Sequence, residues 1–216
     1  LEIGAGRGTK TYVMMCQAKR AGYERQHTAL DLHDRKCDQN LARLHKAGIS
    51  GVRTVSGDAC ELDEVLTSFD AMLGEPALFD TVFIDAPCSG TGTMRRHPEI
   101  PWRLTENDVT RELPKLQLTM LKEAAARVAA GGELIYATCS VFDEENTQVV
   151  DAFLASPEGE GFTVAPLSEA QILQLSEYDH AKSLVTLRQN DRGLFQSVPV
   201  NSDSYDGHFC ARLVRQ

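Results

Sequence analysis

Two of the six cysteines stand beside polar residues at the ends of consecutive predicted strands, where a thiol could act as a nucleophile. Residues 85–89 read Asp-Ala-Pro-Cys-Ser and residues 137–140 read Ala-Thr-Cys-Ser. An isolated cysteine is most often inert packing, but two at neighbouring strand ends, one of them three residues after an aspartate, favour covalent catalysis. Because adjacent parallel strands end about 5 Å apart, we expect Asp85, Cys88 and Cys139 to share one pocket.

A glycine-rich turn near the start of the chain is the second feature that could serve chemistry. Residues 1–10 read Leu-Glu-Ile-Gly-Ala-Gly-Arg-Gly-Thr-Lys, a strand end followed by a turn and the start of a helix. Glycines there permit positive φ and let a ligand approach the backbone. The G-x-G-x-G spacing suits S-adenosylmethionine (SAM) better than NAD, and a turn without a ligand is the alternative. The candidate cofactor-binding residues of the turn are Gly4, Ala5, Gly6, Arg7, Gly8, Thr9 and Lys10.

Carboxylates at three strand ends support the hypothesis that a cofactor binds at the glycine turn. Asp31 ends the second predicted strand, where a carboxylate accepts hydrogen bonds from ribose hydroxyls in cofactor-binding folds of this kind. Asp58 follows the third strand and is placed for the adenine edge, while Asp85 ends the fourth strand beside the cofactor. Asp34 is expected to be the N-cap of the following helix. Carboxylates that serve only solubility are the alternative for each position.

Alternating strand and helix patterns would bring these residues together. Single helices between successive strands imply right-handed crossovers, a parallel sheet and helices on both of its faces. Such sheets bind ligands at the carboxyl ends of their strands. After a first strand that ends at Ile3, the predicted strands are 27–32, 52–55, 79–84 and 133–137, and the predicted helices are 9–20, 34–47, 62–69, 112–130 and 144–155.

The pattern changes from Phe162 onward. Residues 193–198 and 209–214 are predicted as strands, and the polar and glycine residues at 201–203 and 206–207 indicate a turn between them. We therefore expect an antiparallel hairpin at the sheet edge. Residues 179–190 have no clear pattern.

Composition limits the class of protein. The 216 residues carry 22 basic and 31 acidic side chains, a net charge of −9, so a strong general attraction for nucleic acid is not expected. The six cysteines form no close pairs, which favours reduced thiols in a cytoplasmic protein over disulfides or a zinc site, and no metal is expected. No apolar run approaches the ~18 residues of a membrane span. The chain opens on Leu1 inside a predicted strand, so we expect a fragment whose N-terminal part has been removed.

The two cysteine motifs resemble those of the Sun (Fmu) family of RNA cytosine-C5 methyltransferases. Residues 95–100, Arg-Arg-His-Pro-Glu-Ile, together with Trp102 and residues 144–146, Glu-Glu-Asn, are similar to further signatures of its bacterial 16S rRNA members. The resemblance runs from Leu1 to about Leu154 and resumes at residues 206–209, whereas 157–204 match only loosely. The glycine loop departs from the family pattern, because Arg7 replaces proline and Thr9 replaces glycine.

The resemblance implies a fold and a role for each motif. It implies a class I SAM-dependent methyltransferase domain over residues 1–216, Rossmann-like, with a mostly parallel sheet and a C-terminal antiparallel hairpin. Cys139 would attack C6 of the cytosine, Cys88 would assist release, and Asp85 would hydrogen-bond the N3/N4 edge of the base. DNA cytosine-C5 enzymes use the Pro-Cys thiol instead, so Cys88 is the rival nucleophile.

The RNA itself would meet the protein beside this pocket. Arg95, Arg96 and His97 form a basic patch directly after the first cysteine motif, where an RNA backbone could pass; a solvated loop is the alternative. An N-terminal RNA-binding domain, which family members often carry and which we expect to be missing from this fragment, would supply most of the affinity.

We therefore predict transfer of a methyl group from SAM to C5 of a cytosine in RNA, with 16S rRNA as the substrate. A tRNA cytosine-C5 methyltransferase is the alternative within the same fold. An NAD-dependent dehydrogenase would explain Gly4, Gly6 and Asp31 but gives the cysteines no role. A degenerate fold that only binds RNA is a third possibility, against which the intact motifs argue. We expect a cytoplasmic monomer without a membrane partner.

Overall fold

The computed structural model describes residues 1–173, 188–199 and 205–216. The turn predicted at 201–203 and most of the unassigned stretch 179–190 lie outside these ranges. Within them, one mixed sheet is flanked by helices. Its strands are β1 Glu2–Ile3, β2 His27–Asp31, β3 Val52–Ser56, β4 Phe79–Asp85, β5 Val128–Thr138, β6 Phe162–Val164, β7 Phe195–Ser197 and β8 His208–Arg215. The helices are α1 Thr9–Arg20, α2 Asp34–Lys46, α3 Leu62–Leu73, α4 Leu113–Ala125, α5 Thr147–Leu154 and α6 Glu169–Leu173.

The sheet has the mostly parallel arrangement predicted from the sequence. Its strand order is β3-β2-β1-β4-β5-β8-β6, and the first five strands in the chain are parallel to one another. β8 runs antiparallel to β5, and β6 and β7 pair with its other side, also antiparallel. The hairpin of β7 and β8 is therefore confirmed, and β7 is its edge strand. The short strand β6 was not predicted.

The predicted helix over 112–130 is wrong at its C-terminal end. α4 stops at Ala125, and β5 begins at Val128, before the two glycines that were expected to close the helix. Arg127 explains the early end: its buried guanidinium binds Asp70 and Asp63, and its carbonyl accepts a 2.8 Å hydrogen bond from the amide of Phe79. These contacts start the pairing of β4 with β5, which then shifts register between Phe79 and Thr81.

The structure also differs from the sequence prediction at the start of α2 and at the ends of α3 and β2. Asp34 is the first helical residue of α2, and the N-cap is His33, which makes no side-chain capping bond. α3 continues four residues beyond the predicted end at Phe69 and stops at Gly74, whose φ of 79° is the left-handed conformation that ends many helices. Strand β2 ends at Asp31, one residue early, and Leu32 is exposed.

The hydrophobic core lies between the sheet and the helices on its faces. Val82, Ile84, Leu134 and Tyr136 of the central strands are completely buried. The ring of Tyr136 packs edge-on against Phe209 of β8, with 6.2 Å between centroids. This packing fixes the central strands side by side, so their carboxyl ends form one rim. None of the described helices is long and apolar enough to span a membrane.

Candidate active site

The glycine turn sits at the end of β1 with its backbone held against two neighbouring strands. The amides of Gly4 and Ala5 both donate to the carbonyl of Leu30 at 2.9 Å. Gly4 has a φ of 78°, and a Cβ built on it would lie 2.3 Å from the carbonyl oxygen of Asp85, so only glycine fits there. A Cβ on Gly6, by contrast, would meet only one backbone oxygen at 4.0 Å. The turn therefore leaves open backbone at Gly6, which fits a cofactor lying over it.

Asp31 lies at the centre of this turn rather than on an open surface. Its carboxylate is buried; one oxygen accepts the amide of Gly6 at 2.9 Å, and the other accepts the amide of His33 at 3.1 Å and lies 3.2 Å from Lys36 Nζ. A carboxylate has about four lone-pair sites, so capacity remains for a ribose hydroxyl. Asp31 thus positions the turn, a role that the sequence did not reveal.

The other predicted cofactor residues differ in their surroundings. Asp58 is exposed two residues beyond β3, and its side chain accepts the amide of Cys60 at 2.9 Å, which shapes the entry to α3. Arg7, Thr9 and Lys10 are exposed at the start of α1. The hydroxyl of Thr9 accepts a 2.7 Å hydrogen bond from Arg43 and so is already occupied by the protein.

Asp85, Cys88 and Cys139 lie together beside the glycine turn. β4 and β5 place Asp85 opposite Ala137, and the amide of Ala86 donates to the carbonyl of Ala137 at 2.9 Å. The two sulfur atoms are 3.3 Å apart, and the amide of Cys139 points at Cys88 Sγ at 3.4 Å. Lys10 forms an ion pair with Asp85, so a positive charge from α1 reaches the same pocket.

The pKa values of the two thiols are shifted in opposite directions. The contact with Cys88 lowers the pKa of Cys139, and the positive charge of Lys10 acts in the same direction, against burial and the charge of Asp85. The same contact and burial raise the pKa of Cys88. The two directions together favour Cys139 as the more acidic of the two thiols.

A buried glutamate joins the two cysteine segments. Glu145 is completely buried and accepts three hydrogen bonds: from the amide of Ser89 at 2.8 Å, from Gln117 Nε2 at 3.0 Å and from the hydroxyl of Ser140 at 2.6 Å. Gln117, on α4, also donates to the carbonyl of Pro87 at 2.9 Å. The residues that follow Cys88 and Cys139 are thus held by one carboxylate.

Asn146 completes this arrangement from the neighbouring position. Its carbonyl oxygen accepts the hydroxyl of Thr138 at 2.6 Å, and its amide donates to the carbonyl of Ser140 at 3.0 Å. The hydroxyl of Tyr136 donates to the backbone carbonyl of Glu145 at 2.6 Å. In the sequence, Glu145 and Asn146 contribute only to the family resemblance. The one sequence feature that could have indicated their role in the site is their position a few residues after Cys139.

The predicted basic patch divides into two environments. Arg96 binds Asp206 through Nε at 2.9 Å, and Arg95 lies with it along a pocket beside Asp206. His97 instead lies 3.4 Å from Glu99, half-exposed. Among the described residues, no group of His, Cys, Asp and Glu side chains could hold a metal ion.

An exposed tryptophan follows the basic patch in the chain. Trp102 is 89% exposed. The short helical turn that contains Trp102 also contains Ile100, which is buried against Gly90. A Cβ built on Gly90 would lie only 3.3 Å from Cδ1 of Ile100. An indole presented to solvent two residues from Ile100 is suited to stacking on a nucleobase.

Another cavity lies at the opposite end of the strands. It has a volume of about 620 Å³ and is lined by residues such as Leu1, Arg25 and Phe79. None of the predicted site residues lines it.

This sheet, with its glycine turn and acidic partners at the carboxyl ends of the strands, is that of the SAM-dependent methyltransferases. The family described as 16S rRNA methyltransferase RsmB/F matches residues 1–214, so the chain belongs to the RsmB/F family. The family confirms the predicted resemblance and the predicted cofactor, SAM, and it rules out the dehydrogenase alternative.

Individual relatives and solved structures agree with this assignment. Ribosomal RNA small subunit methyltransferase B of Enterobacter sp. (strain 638) is 49% identical over 138 residues, which are 64% of this chain and 27% of that protein. The structure of PH0851 superposes with a TM-score of 0.75 and 28% identity, covering 98% of this chain and 42% of that one. NSun6 from Pyrococcus horikoshii, solved with SFG, has a TM-score of 0.73 at 18% identity, covering 99% and 47%. The chain matches between 19% and 37% of the length of its curated relatives.

Proposed function

We propose that this chain transfers a methyl group from SAM to C5 of a cytosine in 16S rRNA, through a covalent bond between Cys139 and C6 of the base. The observation that carries the proposal is the pair of thiols 3.3 Å apart beside Asp85 and its ion pair with Lys10, and the lowered pKa of Cys139 supports this thiol as the one that attacks. The proposed substrate follows from the names of the family and the relatives.

The chemistry of cytosine explains why a thiolate is needed. C5 of the ring is too weak a nucleophile to attack a methyl group unaided. Addition of the Cys139 thiolate to C6 moves electron density to C5, which can then accept the methyl group that SAM supplies when bound. Loss of the C5 proton to a base and cleavage of the S–C6 bond return the Cys139 thiolate and release 5-methylcytosine.

Neighbouring groups have distinct tasks in this scheme. Asp85 would hydrogen-bond the N3/N4 edge of the base and stabilise charge that develops there, while Lys10 orients its carboxylate. Cys88 would assist the elimination step, because its protonated thiol lies against the sulfur that must leave. The raised pKa of Cys88 argues against the DNA-type alternative, in which Cys88 attacks.

RNA would approach over the surface that carries Arg95, Arg96 and Trp102. Two guanidinium groups can contact phosphates, and an exposed indole can stack on a base that has left its helix. This local surface is compatible with the net charge of −9, since the acidic residues are distributed over the whole chain.

The test is methyl transfer from radiolabelled SAM to 16S rRNA that lacks the modification, followed by digestion to nucleosides. We expect label in 5-methylcytidine, and we expect none with Cys139→Ala. Cys16→Ala is the matched control, because Cys16 is an exposed thiol on α1 away from the site. Label in another nucleoside, or full activity of Cys139→Ala, would refute the proposal. Label in the cytosine of unmodified tRNA in a parallel reaction, with none in 16S rRNA, would favour the tRNA alternative.

A further inference from the structure

A second pocket lies at the start of β8, which is on the other side of β5 from β4 and β1. β8 pairs with β5 so that Phe209 is opposite Thr138, and His208 and Cys139 are the residues next to this last pair. The amide of Gly92 donates to the carbonyl of Cys139, and the amide of Gly207 donates to the carbonyl of Gly92, both at 2.8 Å. Two consecutive backbone hydrogen bonds therefore connect this pocket to the cysteine.

The pocket has a volume of about 420 Å³ and a predominantly basic lining. Its lining residues are Arg95, Arg96, Tyr205, Asp206 and His208. This volume lies within the range of about 300–1,000 Å³ that is typical of small-ligand sites. The single carboxylate is held by Arg96, and its pKa is lowered by that guanidinium first and then by His208 and Arg95. Two guanidinium groups and an imidazole thus surround one acidic group, which suits an anionic ligand.

We propose that this pocket holds the nucleotide adjacent to the target cytosine, with its phosphate against Arg95 and His208 and its base stacked on Tyr205. The proposal rests on the proposed function, since it requires a cytosine at Cys139. It names a binding site on the RNA side of the reaction that is separate from the cofactor site.

The order of groups along the rim of the sheet supports this assignment. The glycine turn and Asp31 occupy the ends of β1 and β2, Asp85 and Cys139 the ends of β4 and β5, and His208 the start of β8. With the cofactor on one side of the target base, the RNA strand must leave on the other side, where the pocket lies. Enzymes that extract a base from its stack read sequence context through the flanking nucleotides, and aromatic side chains hold unstacked bases.

Arg96 has a positioning part in this pocket. Its hydrogen bonds to Asp206 hold the guanidinium in place, and the charge of Cys139 also acts on it. Arg95 and His208, which line the same pocket, would contact the phosphate, while Tyr205 supplies the ring.

The test compares two fluorescein-labelled RNA nonamers by fluorescence anisotropy. One has a single cytosine among uridines, and the other has abasic sites on both sides of that cytosine. Wild type should bind the abasic nonamer roughly tenfold more weakly, within the range known for one stacked base. Tyr205→Ala should bind the intact nonamer roughly tenfold more weakly than wild type and lose little more on the abasic one. His208→Ala should weaken both nonamers alike. Tyr23→Ala, which replaces an exposed tyrosine outside the site, is the matched control and should behave as wild type.

Failure of this inference can be told from failure of the proposed function. If wild type puts no label into cytosine of 16S rRNA, the proposed function fails. If it does, three results overturn the pocket: variants that bind the intact nonamer as wild type does, a further tenfold loss for Tyr205→Ala on the abasic nonamer, or no binding of wild type to either nonamer. Circular dichroism of each variant checks that the fold is intact.

Discussion

Replacing Glu145 with alanine should remove the carboxylate that joins the two cysteine segments. The amide of Ser89 and the side chain of Gln117 would lose their shared acceptor, whereas the hydroxyl of Ser140 can turn toward Ser89 Oγ at 3.1 Å. An orphaned buried donor costs about 1–3 kcal/mol, so two of them lower the free energy of unfolding by about 2–6 kcal/mol. Glu145→Gln keeps the shape and one acceptor oxygen, so we expect a loss of about 1–2 kcal/mol.

Urea unfolding followed by circular dichroism measures this loss, and methyl transfer to 16S rRNA measures its effect on the site. We expect kcat to fall more than KM rises in Glu145→Gln, because the thiols are displaced while the RNA surface is unchanged. Glu144→Gln is the control, since this neighbouring side chain is only half-buried. Equal stability of Glu145→Ala and wild type would refute the reasoning, as would an unchanged kcat in Glu145→Gln.

Two further predictions concern the cofactor side of the site. Asp31→Ala should weaken SAM binding by roughly 1–3 kcal/mol, which is the range for a lost charge-assisted hydrogen bond. Calorimetry measures this affinity, and Asp38→Ala, which replaces an exposed aspartate, is the control. Unchanged affinity of Asp31→Ala would exclude Asp31 from the cofactor site. Lys10→Ala should raise the pKa of Cys139, because the positive charge of Lys10 helps to lower it, so the acid limb of the pH profile of kcat should move to higher pH. Lys46→Ala is the control, and a limb that stays in place or moves to lower pH would contradict the role of Lys10.

Local sequence patterns were enough to predict much of the fold and the centre of the site. Strand and helix periodicity predicted the parallel sheet, and the position of each motif at a strand end predicted that Asp85, Cys88 and Cys139 would meet. These inferences succeeded because parallel strands must bring their carboxyl ends to one rim. The sequence could not show that the pKa values of the two thiols differ, since the lowered pKa of Cys139 depends on its contact with Cys88 and on Lys10 from another element.

Contacts between distant segments explain what was missed. The end of α4 depends on the ion pairs of Arg127 with Asp70 and Asp63, more than 50 residues away in the chain. The role of Glu145 depends on Gln117, from a different helix. The pocket beside His208 exists only because β8 pairs with β5 in one register. Side-chain periodicity contains no information about such pairings.

The most direct test of the central claim asks which cysteine bonds to the RNA. Wild type, Cys88→Ala, Cys139→Ala and the control Cys16→Ala are incubated with SAM and unmethylated 16S rRNA and then separated by denaturing gel electrophoresis. If Cys139 attacks C6 and Cys88 assists release, Cys88→Ala should accumulate a protein–RNA conjugate that survives denaturation, and Cys139→Ala should form none. A conjugate with Cys139→Ala and none with Cys88→Ala would reverse the two roles and contradict the account.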